Sequence, residues 1–99
     1  MLENFTLETF AGRMNSTFRL KLESAETVEM ELVEANDVGS TPRQAQFSIV
    51  FRGPHNPPLA QGIHKIEHDE IGTFDLFLVP IRRDQTGIYY EAIFNRPLD

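Results

Sequence analysis

Hydrophobic and polar residues alternate along most of this chain, and the alternation divides it into strands. In Thr17 to Glu23, Phe18, Leu20 and Leu22 fall on one side while Arg19, Lys21 and Glu23 fall on the other. A period of two is what a half-buried strand produces, because successive side chains point to opposite faces. After the short turn Ser24-Ala25-Glu26, the run TVEMELVEA repeats the pattern, with Val28, Met30 and Leu32 inward and Glu29 and Glu31 outward. The two runs form a hairpin in which those glutamates face Arg19 and Lys21, and opposite charges across strands attract. A polar stretch, Asn36 to Gln44, separates the hairpin from a third strand, Gln46 to Arg52, which carries Phe47, Ile49 and Phe51 on one face.

The segment Gly53-Pro54-His55-Asn56-Pro57-Pro58 ends that strand. Adjacent prolines supply no N–H to a ladder and are not expected inside a sheet. A central pair of strands follows, Ile63 to Glu67 and Thr73 to Ile81, joined by the turn His68 to Gly72. Arg83 to Gly87 turns the chain into a last strand, Ile88 to Asn95. Before all of these, Thr6 to about Met14 reads as the one helix. Thr6 can cap it, Glu8 suits its first turn, and Leu7, Phe10, Ala11 and Met14 share a face. With threonine rather than Glu or Gln at position 9, the capping box is expected to be incomplete.

The expected fold is therefore all-β: six antiparallel strands in a sandwich or partly open barrel, with a short N-terminal helix. Two strands depart from clean alternation. Thr73 to Ile81 carries Phe74, Leu76, Leu78 and Pro80 on one face and Phe77, Val79 and Ile81 on the other. In the last strand, Ile88, Tyr90, Ala92 and Phe94 oppose Tyr89, Glu91 and Ile93. Strands apolar on both sides need cover on both sides. The helix is one candidate cover, and a partner subunit, most simply a second copy in a homodimer, is the other. Phe77, Val79, Tyr89 and Ile93 are the residues expected at such an interface. Of the adjacent tyrosines, one ring is expected in the core and the other exposed.

Composition narrows the function classes. The chain has 99 residues, which bounds it to a single domain, and 40% of them are hydrophobic, enough for a compact core. Its formal charge of −6 repels a phosphate backbone, and Arg82-Arg83 is the one adjacent basic pair, so no nucleic-acid partner is expected. There is no cysteine, hence no disulfide and no thiolate chemistry. The first residues lack the basic start and apolar run of a signal peptide, and no apolar stretch approaches the length of a bilayer span. A cytoplasmic protein, or one exported without a signal peptide, is the expectation, with no membrane association.

Candidate chemistry is sparse. His64 and His68 have HxxxH spacing, but on a strand four residues span about 13 Å, too far for both rings to hold one ion. No metal, cofactor or catalytic residue is assigned. Glu67, Asp69 and Glu70 beside His68 read as a solvated turn, with His68 bonding backbone near Ile71-Gly72. The loop of Pro54, His55, Asn56, Pro57 and Pro58 is the irregular segment best suited to recognition, since loops on rigid β-scaffolds often carry binding. A rigid connector is its other reading.

Phe10-Ala11-Gly12, FRGP at Phe51–Pro54, QGIHKIEH at Gln61–His68, LFLVP at Leu76–Pro80 and YEAIFNR at Tyr90–Arg96 occur in that order. Together they resemble a family of short bacterial proteins of unknown function, over nearly the whole chain. The resemblance implies no activity and no catalytic residues. It places relatives near tail-fibre or collar-like genes, which implies an assembly role, and it favours a bulky aromatic where this chain has His64. The functional expectation is a non-enzymatic structural or protein-interaction domain, an accessory of a phage-tail-like assembly. The alternative is a small-ligand-binding β-barrel, which requires a cavity between the sheet faces.

Overall fold

The computed structural model describes residues 5–97 and contains six strands and one short helix. In chain order these are α1 (Leu7–Ala11), β1 (Thr17–Lys21), β2 (Thr27–Asp37), β3 (Gln44–Gly53), β4 (Gly62–His68), β5 (Gly72–Asp84) and β6 (Gly87–Pro97). Every pairing is antiparallel, and the sheet closes on itself in the order β1-β2-β3-β6-β5-β4. Two meanders, β1-β2-β3 and β4-β5-β6, are joined by the β3–β6 and β1–β4 ladders. The all-β reading with a short N-terminal helix holds, and the sheet forms a ring.

Alternation sorts side chains as expected. Phe18 and Leu20 of β1, Phe47, Ile49 and Phe51 of β3, and Phe74, Leu76 and Leu78 of β5 are buried in one core cluster with Ile66, Tyr90 and Ala92. A ring of six strands has a narrow interior, and these side chains fill it. The expected Arg19 and Lys21 pairing across the hairpin is replaced by another. Arg19 lies opposite Glu29 in register, yet its guanidinium bonds Glu67 of β4 at 3.0 Å and Asp69 at 2.8 Å, and Lys21 reaches Glu67 at 3.3 Å. Ring closure brings β4 against the other side of β1, and a carboxylate there competes successfully.

The helix is shorter than expected and does a different job. Thr6 caps it, and the capping box is complete: Thr6 Oγ1 accepts from the Thr9 amide at 3.4 Å, while Thr9 Oγ1 accepts from the Thr6 amide at 3.0 Å. A threonine hydroxyl thus fills the role usually taken by Glu or Gln. Gly12 ends the helix after a single turn and a fraction. Instead of covering the outer face of the sheet, it drives Phe10 into the interior. The β5–β6 ladder runs only from Asp84↔Gly87 to Val79↔Glu91; beyond that, β5 pairs with β4 and β6 with β3. Where those strands part, Phe10 meets Phe94 at 5.4 Å and Phe74 at 6.4 Å between ring centroids, and Phe5 meets Phe74 edge-on at 5.1 Å. An aromatic plug thus occupies the end of the barrel where this ladder stops.

Candidate functional site

The outer face of the ring is covered unevenly. On the β2-β3-β6 side it is sealed by charge. Arg52 of β3 pairs with Glu31 of β2, and Arg82 of β5 reaches across β6 and β3 to Glu34 of β2 at 3.3 Å. Val50, which lies between Glu34 and Glu91 in register, is buried beneath that span. Tyr89 belongs to this seal. The guanidinium of Arg82 stacks 4.0 Å above its ring, and its hydroxyl donates to Asp84 Oδ2 at 2.9 Å. The expectation of one buried and one exposed tyrosine is therefore corrected: Tyr89 is 7% exposed and Tyr90 1%. A register shift between Pro80 and Arg82 sets Arg82 opposite Tyr89, which simple alternation does not anticipate. The Asp84 carboxyl, bonded first by Thr86 and then by Tyr89, is held down to about 2.

On the β4–β5 side, charged pairs (Lys65 with Asp75, and Glu67 with Arg19 and Lys21) cover part of the face and leave the row of Ile63 and Phe77 open. Phe77 is 50% exposed and faces its cross-strand partner Ile63, which is 72% exposed. Val79 is half-buried beside them, and Ile93 of β6, on the far bank of the parted ladder, is 61% exposed. All four expected interface residues thus lie on the outer face, with Phe77 and Ile93 open to it, Val79 half-buried and Tyr89 covered by Arg82. Ile63 was not among the expected set, although its parity against Ile66 already puts it on the outer side. Its exposure has a plain cause. The β1–β4 ladder ends at Lys21↔Lys65, so Ile63 has no ladder partner on that side, and an open groove of about 670 Å³ begins there, lined by Leu22, Ala25, Ile63 and Lys65.

The proline loop is pinned to the barrel. Leu59 is buried in the core, and its amide donates to the Tyr90 hydroxyl at 2.9 Å. The Nε2 of His55 lies 2.6 Å from the Asp84 carbonyl oxygen. Pro54, Asn56 and Pro57 form one wall of a second open groove, also about 670 Å³, whose opposite wall includes Glu29, Glu31 and Arg52. Pro58 is exposed between the anchors. Held by these contacts at Leu59 and His55, the segment leaves Pro54, Asn56, Pro57 and Pro58 exposed.

His68 closes the β4–β5 turn as expected, though through Glu70 rather than Ile71-Gly72. Its Nδ1 accepts from the Glu70 amide at 3.1 Å, so its proton is on Nε2, which sits 3.0 Å from Ser16 Oγ. Ser16 in turn donates to the Arg13 carbonyl at 2.6 Å. The proton order runs from imidazole to serine to backbone. A nucleophile–base pair needs the reverse, with an unprotonated nitrogen facing the hydroxyl. The ring is buried against Phe18, at 4.4 Å between centroids.

A family model described as a domain of unknown function, DUF6916, matches residues 5–94 of the 99. The chain belongs to this family. No curated protein and no solved structure matches it. Among the described residues of this DUF6916 domain, no group of three or more His, Cys, Asp or Glu is placed to hold a metal ion. None of its described helices is long and apolar enough to cross a membrane.

Burial lowers the His68 pKa in the folded DUF6916 domain, reinforced by Arg13 and Arg19 and opposed by Glu70 and Asp69. With the folded value below the unfolded 6.5, the unfolded chain holds more protons between the two, so stability falls as pH drops through that window. Urea midpoints between about pH 7.5 and 5 should decline for the wild type and flatten for His68→Gln, because ordinary carboxylates titrate below about 4.5. Equal slopes for both proteins would show that His68 is not the group responsible.

Proposed function

We propose that this DUF6916 domain is a non-enzymatic structural or protein-interaction domain whose contact surface is the outer face around Phe77, Val79 and Ile93, extended by Ile63. The observation that carries the reading is that Ile63, Phe77 and Ile93 stand exposed on a barrel whose core is complete without them. Apolar area left in water forgoes about 25 cal/mol per Å², and contiguous exposed apolar surface on a soluble domain marks a contact site. The proton order at Ser16 and His68 supports a role without hydrolysis. The side chains filling the interior favour interaction over the rival small-ligand-binding β-barrel. A charge of −6 favours a protein partner or a homo-oligomer over nucleic acid, and a cytoplasmic setting belongs to the same reading. An accessory of a phage-tail-like assembly is the setting the sequence resemblance implies.

The test is co-purification from the native cell with wild type, Phe77→Lys and Ile93→Lys, each shown to fold by circular dichroism. The expected result is a co-purifying protein, or a self-associated form, that is lost in either variant. Unchanged recovery in both variants would remove the outer face from the reading.

A further inference from the structure

We infer that the β4–β5 outer face packs against a second copy of this chain about a two-fold axis, with Ile63 of each copy on Phe77 of the other and Lys65 on Asp75. The inference rests on the interaction reading and names its partner. The face is built from two cross-strand rows. One pairs Ile63 with Phe77, and the next pairs Lys65 with Asp75, whose charged atoms are 3.7 Å apart. Both charged side chains are more than half exposed, at 55% and 59%, so each is free to take a second partner.

The arrangement of these rows selects a copy of the same chain. A two-fold axis running between β4 and β5, parallel to the strands, exchanges the two strands. It sets Ile63 against the other copy's Phe77 and, in the next row, each lysine against the other copy's aspartate. The surface is therefore complementary to itself, as an isologous contact requires. A partner with one sign of charge at this face would instead meet a like charge at either Lys65 or Asp75. Four alternating charges flanking two apolar pairs form a closed, neutral contact, which offsets locally the repulsion between two chains of charge −6. A patch two strands wide and about 23 Å long is smaller than the roughly 800 Å² per partner of a standard interface. The dimer is accordingly expected to be weak and to form only as concentration rises.

Sedimentation equilibrium over about 10–500 μM tests it, using wild type, Lys65→Asp and Asp75→Lys, with folding of each confirmed by circular dichroism. Wild type should dimerise with rising concentration. Each variant alone should stay monomeric, because its homodimer opposes like charges. An equimolar mixture of the two variants should recover the dimer, since in the mixed pair every aspartate again meets a lysine. Monomeric wild type throughout the range, a dimer indifferent to both variants, or a mixture that stays monomeric would each overturn the inference. If the wild type is monomeric while Phe77→Lys still abolishes co-purification of a cellular protein, the second copy falls and the interaction reading stands. If co-purification is also indifferent to Phe77→Lys and Ile93→Lys, both fall.

Discussion

Phe10→Ala should destabilise the domain by about 3–5 kcal/mol, the usual cost of deleting a fully buried aromatic ring. Phe10 is wholly buried, and its ring lies within 6.4 Å, centroid to centroid, of Phe5, Phe18, Phe47, Phe74 and Phe94. These neighbours come from the N-terminal segment and from β1, β3, β5 and β6, so one deletion leaves a void bordered by four strands. The void lies where the β5–β6 ladder has already parted, so no backbone pairing compensates. A loss of this size is a large fraction of the stability of a small domain. Urea denaturation monitored by circular dichroism measures it, and Phe10→Leu, which retains most of the volume, should cost clearly less. A midpoint for Phe10→Ala within error of wild type would mean that the helix merely rests on the barrel.

The second large effect is expected at Gly87, which opens β6 after the β5–β6 turn. Its φ of +156° lies at the edge of the region that side chains rarely adopt. A Cβ there would press into the carbonyl oxygen of Gly53 and lie 3.2 Å from Arg52 Cγ. Gly53 is backbone in the β3–β6 ladder and cannot turn aside as a flexible side chain could. Gly87→Ala therefore combines a backbone cost of about 1–3 kcal/mol with an overpacking cost of similar size, about 1–3 kcal/mol. Gly72 provides the comparison. Its φ is +104°, but nothing lies within 4 Å of an added Cβ, so Gly72→Val carries the backbone cost alone, a little over 1 kcal/mol. If the two variants melt together, the close approach to Gly53 does not govern the stability of the turn.

Much of the fold was legible because it depends on local alternation. Phe18 and Leu20, Phe47 to Phe51, and the two faces of Thr73 to Ile81 are sorted by parity, and parity survives folding wherever a strand stays regular. What parity cannot carry is the identity of a strand's second neighbour. Hairpin register points Arg19 at the glutamates of its partner strand, yet it bonds Glu67, because ring closure brings in a strand more than forty residues away in sequence. Alternation alone leaves Tyr89 open on the outer face, whereas Arg82 is set over it by an irregularity in the ladder. Thr9 completes a capping box through a hydroxyl that the usual motif does not include. At the candidate interface, Phe77, Val79 and Ile93 needed only parity, whereas the exposure of Ile63 depends on where β1 stops. The anchoring of the proline loop by Leu59 depends on Tyr90, thirty-one positions away, and had no local signal.

The ring is shut very unequally at its two long-range seams. Ten residue pairs join β3 to β6, but only Arg19↔Glu67, Leu20↔Ile66 and Lys21↔Lys65 join β1 to β4. Hairpins form early because their partners are near in sequence, whereas joining the two meanders must wait for long loops to close. The short seam is thus the last to zip and the first to breathe, and local opening there leaves the rest of the barrel intact. The ion cluster of Arg19, Lys21 and Glu67 sits directly on it, tying by charge the place where the ladder is shortest. Amide exchange in this protein should accordingly be graded around its circumference, fastest at that three-pair closure and slowest along β3 and β6.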